Sequence, residues 1–448
     1  MATYRAAPQL QPTLQMRLEE ARGRTDAIFR LVPPESLYDR PIPERHRLLF
    51  YLGHLEAFDW NLLSGPLELP SPEPALDKLF AFGIDPVDGG LPTDVPSDWP
   101  TVTRIQKYNQ RVRNALDQAL NDSRASRSSD TDLTDGTLLH VAIEHRLMHA
   151  ETLAYLLHNL PLDRKNPHAA PVADLRPSPM PRRVAIPAGV ATLGMPRGTA
   201  FGWDNEFETQ EIEVPSFSID VYPITNGEYL KFVEASGYDE SRYWSADDWK
   251  WKSCANIEHP HFWTRRAVAS GEAAAGNWEY RAMFGRIPLP LSWPVYVSHA
   301  EASAYARWAG TSLPTEAQWH RAAYGAHDQT ESSYPWGEAR PNATRGNFHF
   351  KSWDAAPVDA HPAGASAFGV FDMLGNGWEW TSTIFGPLPG FKPFSFYPGY
   401  SANFFDGKHF VMKGGSPQTD ECMLRRTFRN WFQPHYPYVY ATFRCVEE

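Results

Sequence analysis

The sequence predicts an α-helical bundle followed by an irregular α/β domain. Three observations predict it. The first 165 residues carry long stretches of helical periodicity and few glycines. Five prolines, Pro167, Pro171, Pro177, Pro179 and Pro181, then crowd one short segment, with Pro161 just ahead of them. Beyond it come short β-type runs separated by Gly, Pro, Asn and Trp, and most of the 16 Trp. A length of 448 residues fits two or three domains of ordinary size. The expected division is a bundle over residues 1–165, a Pro-rich linker over 166–182 and a second domain over 183–448. With 40 Pro, well above the usual ~5%, the chain cannot be helical throughout.

Four helical segments follow from the apolar spacing: Thr13–Leu31, Pro43–Leu63, Val102–Asn121 and Thr134–Asn159. In the fourth, Leu138, Leu139, Ala142, Ile143, Leu147, Ala150, Leu153, Ala154 and Leu157 form a broad stripe. Four such segments make a four-helix bundle. Pro43 suits a first helical turn. The connection from Ser64 to Pro100 is long and rich in Pro, Gly and Asp, as functional loops and crossovers are. In the second domain the β-type runs are Arg183–Ile186, Glu211–Val214, Phe217–Val221 and Val295–Val297. Two helices open there on capping residues, Ser298–Trp308 with Glu301 and Thr315–Gly325.

Composition excludes several classes. The net charge is −11, and no Lys/Arg-rich run stands out, which argues against nucleic acid. Cys254, Cys422 and Cys445 are too few and too far apart for a disulfide framework or a CxxC site. Met1–Arg30 has acidic residues and no apolar core of signal-peptide type. No stretch approaches the ~18 apolar residues of a membrane span. The expectation is a reduced, soluble, cytoplasmic protein.

The sharpest local pattern is Glu144-His145-Arg146-Leu147-Met148-His149-Ala150-Glu151. On a helix His145 and His149 lie about 40° apart around the axis and can bind one ion. Glu151 lies roughly 200° away from His149 and is not expected to be a ligand of that ion. It either orients a histidine of a neighbouring helix or faces solvent. A third ligand is available in His54, within the apolar run Leu48–Glu56, where Gly53 admits a close neighbour. Three imidazoles suit Fe(II), Zn(II) or Cu alike. Ordinary polar roles at or near the surface are expected for His46, His140 and His158, and structural ones for His299 and His320.

The second domain carries a longer signature. It runs from Pro294-Val295-Tyr296 through Leu313-Pro314-Thr315-Glu316-Ala317-Gln318-Trp319 and Tyr334-Pro335-Trp336-Gly337. It continues with Gly375-Asn376-Gly377-Trp378-Glu379-Trp380 and closes on Lys413-Gly414-Gly415-Ser416 and Phe443-Arg444-Cys445. This string resembles the formylglycine-generating-enzyme/sulfatase-modifying-factor superfamily over about Arg183–Glu448. The resemblance implies a C-type-lectin-like domain, with Trp308, Trp319, Trp336, Trp378 and Trp380 as fold determinants. Arg425–Trp431 lacks the reactive cysteine pair of the formylglycine-generating enzymes, so that chemistry is not expected.

Paired with the bundle, this domain resembles the ergothioneine-biosynthesis sulfoxide synthases and their selenoneine-synthase relatives. The resemblance implies a DinB-like bundle whose His54, His145 and His149 bind one nonheme Fe(II). It implies O2 as co-substrate and hercynine, the trimethylated betaine of histidine, as organic substrate, with the lectin-like domain covering the site. Asn430 would then hydrogen-bond the betaine and Trp431 would face its quaternary ammonium. Departures from the family pattern bear on the second substrate. Leu388 stands where a tyrosine precedes Pro-Gly-Phe, Phe432 where an Asp holds a γ-glutamylcysteine amine, and Met148 where a Gln precedes the last ligand. The loop Gly83–Pro100 has no tyrosine. These absences point to a selenosugar donor, with Phe432, Gln433, Tyr436 and Tyr438 at hand for aromatic stacking and hydroxyl contacts, and to a C–Se bond at imidazole carbon 2. The alternative is a sulfoxide synthase that uses cysteine or γ-glutamylcysteine. Alternatives of other classes are a metal-free betaine- or sugar-binding module and a zinc hydrolase or thiol transferase. No residue is assigned as proton or electron donor.

Overall fold

The structure, a computed structural model, describes residues 12–81, 91–122, 128–172, 174–266 and 278–448. The chain divides into two compact units, Met1–Leu156 with Asp163–Asn166 and Leu157–Leu162 with Pro167–Glu448. Residues 83–90 of the tyrosine-free loop lie outside the described residues.

The long helices of the first unit are α1 (Leu14–Phe29), α2 (Leu48–Leu63), α3 (Val102–Asn121) and α4 (Thr137–Asn159), the last three residues of α4 belonging to the second unit. α1 and α3 open on threonines, whose hydroxyls accept from Met16 N–H and Arg104 N–H. α3 is amphipathic, burying Ile105, Tyr108, Val112 and Leu116 on one stripe. α2 is buried almost all round, as its continuous apolar run requires.

α2 starts at Leu48 and not at Pro43. Ile42–Arg45 closes a turn, Arg45 N–H to Ile42 O at 3.0 Å. Arg47 then stays extended because its guanidinium is held away from the helix. It donates to the Asp94 carboxylate at 2.7 Å and to the Tyr38 carbonyl at 2.6 Å.

The second unit is built on short sheets. β1 (Arg183–Ile186), β4 (Phe217–Asp220) and β12 (Val446–Glu447) form one, and β2 (Gly189–Leu193) pairs with β3 (Gln210–Val214). β5 (Trp263–Arg265), β6 (Trp278–Ala282) and β7 (Gly285–Pro288) form a meander. The largest sheet has the order β10-β9-β8-β11, with β8 Gly377–Ile384, β9 Phe410–Gly415, β10 Asn430–Phe432 and β11 Ala441–Thr442. Three helices, α5 (Asn226–Glu234), α6 (His299–Trp308) and α7 (Glu316–Tyr324), all open on capping boxes led by Thr225, Ser298 and Thr315. Val295–Val297 is not a strand. Its amides bond two different partners, Ile224 O and Ala441 O, both at 2.9 Å, so no ladder forms.

The signature residues meet in the core of this unit. Glu379 of β8 receives the Trp319 indole N–H at 2.8 Å and both arms of Arg444 at 2.6 Å. Arg444 also donates to the carbonyls of Asp220, Val221 and Phe371, so one buried guanidinium ties four segments. Gly375 makes the tight turn before β8: its φ is +89°, and a Cβ there would lie 2.7 Å from Asn347 O. Trp319, Trp378 and Trp380 are buried as expected, and so are Trp203 and Trp263. Trp308 and Trp336 are only half-buried, Trp336 lying parallel to Tyr334.

His158 corrects a surface expectation. It is buried, with ring nitrogens 2.6 Å from Arg281 O and 3.2 Å from the Tyr440 hydroxyl. Among the cysteines Cys445 is buried, Cys422 half-buried and Cys254 exposed, and none forms a disulfide among the described residues. No helix of the described residues is long and apolar enough to cross a membrane.

Glu331 gives this unit a pH dependence. Burial pushes its carboxyl up, but His320, the Thr192 amide and Arg426 outweigh that and hold it at about 2. An acid depressed in the folded state stabilises above its unfolded value and loses that stability as pH falls toward the folded one. The stability gap between wild type and Glu331→Gln should therefore shrink by about 2 kcal/mol from pH 6 to pH 3. Urea titrations at the two pH values measure it, and a gap that does not shrink refutes it.

Candidate metal centre

Helical spacing and one carbonyl build the centre. α4 carries His145 and His149 one turn apart, and α2 carries His54. All three are buried, at 3%, 4% and 1% exposure for His54, His145 and His149. One ring nitrogen of each lies within 4.8 Å of the others, and among the described residues this is the group of that kind. The Nε2 atoms of His145 and His149 are 3.1 Å apart. Two nitrogens sharing one ion at ~2.1 Å stand about that far from each other. His54 Nδ1 donates to the Phe80 carbonyl at 2.8 Å. With its proton on Nδ1, His54 offers Nε2 as the ligand atom.

Gly53 serves this contact. A Cβ at position 53 would meet the Phe80 ring at 2.5 Å, so the close neighbour it admits is Phe80, which brings its carbonyl to His54. Desolvation holds His54 down at about 4 and pushes His145 and His149 well below the usual range. All three are neutral near pH 7, so no proton must be displaced before a cation binds. The buried Nδ1 atoms of His145 and His149 meet no hydrogen-bond partner among the described residues. Three converging neutral imidazoles fit a bound transition-metal ion. Glu151 is half-buried and outside the group.

A buried charge network holds α2 against α4. Arg146, between the two α4 histidines and 1% exposed, donates to Glu56 at 3.0 Å, to Asp59 at 2.6 Å and to Leu55 O at 3.0 Å. Arg113 joins Glu56 to Asp26, and Arg22 joins Asp117 at 2.6 Å. Burial would raise the Glu56 carboxyl, but Arg146 and Arg113 outweigh it and hold it at about 2. One guanidinium thus sets the register that brings His54 level with His145 and His149. The available sequence signal was a charged triad, Glu56, Asp59 and Arg146, inside two apolar helices.

The other expected residues lie in the second unit on β10 and just after it. Asn430, Trp431 and Phe432 are half-buried and Gln433 is exposed. Trp431 lies against Phe385, centroids 4.2 Å apart and 8° off parallel, with Tyr400 at its edge, 5.5 Å away and 78° off. Phe432 stacks on Tyr436, 5.2 Å and 13°. The segment before β10 is clamped from below. Arg429 forks onto Glu316 at 2.9 and 3.0 Å and donates to Gly386 O at 2.9 Å. Lys413, pushed down to about 8 by burial, donates to Arg426 O and Phe428 O at 3.0 and 2.7 Å. Leu388 is buried, and Met148 is half-buried. Tyr400 and Phe385 beside Trp431 were not singled out in the sequence, because no spacing relates them to it.

The Sulfatase-modifying factor enzyme 1-like domain family matches residues 169–448, and the DinB superfamily matches residues 17–153. The chain is 36% identical over 441 residues to "Hercynine oxygenase" of Mycolicibacterium smegmatis, covering 94% of this chain and 95% of that one. The chain belongs to the hercynine oxygenase family. A Mycobacterium tuberculosis "Hercynine oxygenase" is 40% identical over 246 residues, 54% of this chain and 55% of that one. "Ergothioneine biosynthesis protein 1" of Neurospora crassa is 28% identical over 497 residues. That match covers 93% of this chain and 56% of the longer fungal protein. The relatives are therefore named for hercynine and ergothioneine, and none of these names mentions selenium. Within the hercynine oxygenase family the DinB part of this chain holds the three histidines, and the sulfatase-modifying-factor part holds Asn430 and Trp431.

Proposed function

We propose that this chain is an Fe(II)- and O2-dependent enzyme that joins sulfur from cysteine or γ-glutamylcysteine to imidazole carbon 2 of hercynine. The observation that carries the reading is the convergence of His54, His145 and His149 in a chain so similar to a hercynine oxygenase along its whole length. When bound, the iron supplies the redox chemistry with O2, which no side chain offers. The chain supplies three neutral imidazoles, fixed by Phe80 O and by the Arg146 network, in a site shielded from water. Asn430 and Trp431 hold hercynine. The Asn430 amide hydrogen-bonds the carboxylate, and the Trp431 ring attracts the quaternary ammonium. The Arg429 and Lys413 clamps keep that strand in place before substrate arrives.

The names of the relatives support sulfur over the selenosugar donor that the sequence absences suggested. One observation keeps selenium as a second reading. Phe432 and Tyr436 form an aromatic pair suited to a sugar face, where a carboxylate for a donor ammonium would be expected.

The test is to incubate iron-loaded protein and hercynine, in air and without oxygen, with cysteine, γ-glutamylcysteine, thioglucose or selenoglucose. Products are read by mass spectrometry and oxygen uptake by an electrode. A hercynine–thiol sulfoxide formed only in air is the expected result. Product with selenoglucose alone transfers the assignment to selenium. No oxygen uptake with any donor, in protein that retains no stoichiometric iron, leaves a binding module and ends the enzyme reading.

A further inference from the structure

Phe50, His54 and Phe58 follow one another at four-residue spacing, so their rings climb one face of α2. Phe50 lies against His54, centroids 4.9 Å apart and 22° off parallel. Phe58 instead reaches across to His145 of α4, centroids 3.4 Å apart and 11° off parallel. The two histidines are anchored differently. His54 has its Nδ1 on the Phe80 carbonyl, whereas the buried Nδ1 of His145 meets no hydrogen-bond partner among the described residues. A ligating imidazole is ordinarily oriented by a carboxylate, carbonyl or water on its far nitrogen. His145 lacks that anchor and has a ring face in its place.

We propose that Phe58 is a positioning residue of the metal centre: its phenyl face sets the plane of the His145 imidazole, so that Nε2 points to the shared site. The Cβ–Cγ bond already fixes the direction of the ring. The freedom left is rotation about that bond, and a face stacked parallel to the ring blocks it. Phe58 is half-buried and is carried by α2. This inference rests on the three-histidine reading.

The test is a Co(II) titration of the full-length metal-free protein, read from visible absorption, on wild type, Phe58→Leu, Phe58→Tyr and His145→Ala. Phe58→Leu should weaken Co(II) binding about 10–100-fold, the usual cost of losing an orienting partner. Phe58→Tyr keeps the face and should bind within about threefold of wild type, a change well below that range. Metal-free melting temperatures of the two Phe58 variants should be alike. Wild-type affinity in Phe58→Leu, with affinity lost in His145→Ala, overturns the role of Phe58 alone. Equal weakening in Phe58→Leu and Phe58→Tyr also overturns it, since the face would not be what matters. Wild-type affinity in His145→Ala instead removes the three-histidine site itself. If Phe58→Leu does not fold, Phe58→Met takes its place under the same outcomes.

Discussion

Replacing His149 by alanine is expected to remove metal and activity together while the chain stays folded. His149 is 1% exposed, and its Nε2 is 3.1 Å from that of His145. Losing one of the three proposed ligands should weaken Fe(II) binding by more than about 100-fold, beyond the cost of losing an outer partner. Burial keeps the imidazole neutral, so its removal strands no charge. The expected destabilisation is therefore within the ordinary ~0.5–3 kcal/mol of a point substitution. Iron content, turnover and circular dichroism on one preparation check this. A folded variant that still carries stoichiometric iron would refute the site.

Arg146→Met should do the reverse, costing stability first. Arg146 is the buried partner of both Glu56 and Asp59, at 3.0 and 2.6 Å. Without it two carboxylates remain in the core with only Arg113 and Arg22 near them. Stranding buried charge of this kind costs about 3–5 kcal/mol. For a unit of this size that lowers the melting temperature by roughly 6–20 °C. Adding Glu56→Met and Asp59→Leu should return part of the loss, because an apolar replacement of a whole buried ion set is often neutral or stabilising. A drop of under ~2 °C in scanning calorimetry of Arg146→Met would show that the network does not hold α2 against α4.

The two experiments separate what the sequence carries from what it hides. The His145/His149 pair was legible because helical spacing alone stacks residues four apart. His54 was legible only as a candidate: its helix was clear, but nothing local says which face of α2 meets α4. The first turn of α2 was misplaced because the pull of Asp94 on Arg47 is a contact 47 residues away in sequence. His158 was misjudged for a similar reason, since its partners Arg281 and Tyr440 lie far along the chain. The β10 segment is singled out by motif resemblance, and its neighbours Phe385 and Tyr400 are not, because one follows β8 and the other sits in the short helix Gly399–Ala402, with no spacing that relates them to Trp431.

The sequence by itself determined the two-part architecture, the helix caps, the family and the identity of the candidate ligands. These depend on local spacing, on turn chemistry and on motifs read in order. Only the tertiary structure decided that three histidines from two helices converge and that Phe80 O selects the His54 tautomer. It also decided that Arg146 locks the register of α2 and α4, and that Phe58 rather than a hydrogen bond faces His145. Each of those depends on burial. In a dry core a carbonyl, a ring face or a counter-charge acts at full strength, and which groups share the core is settled by packing between distant segments.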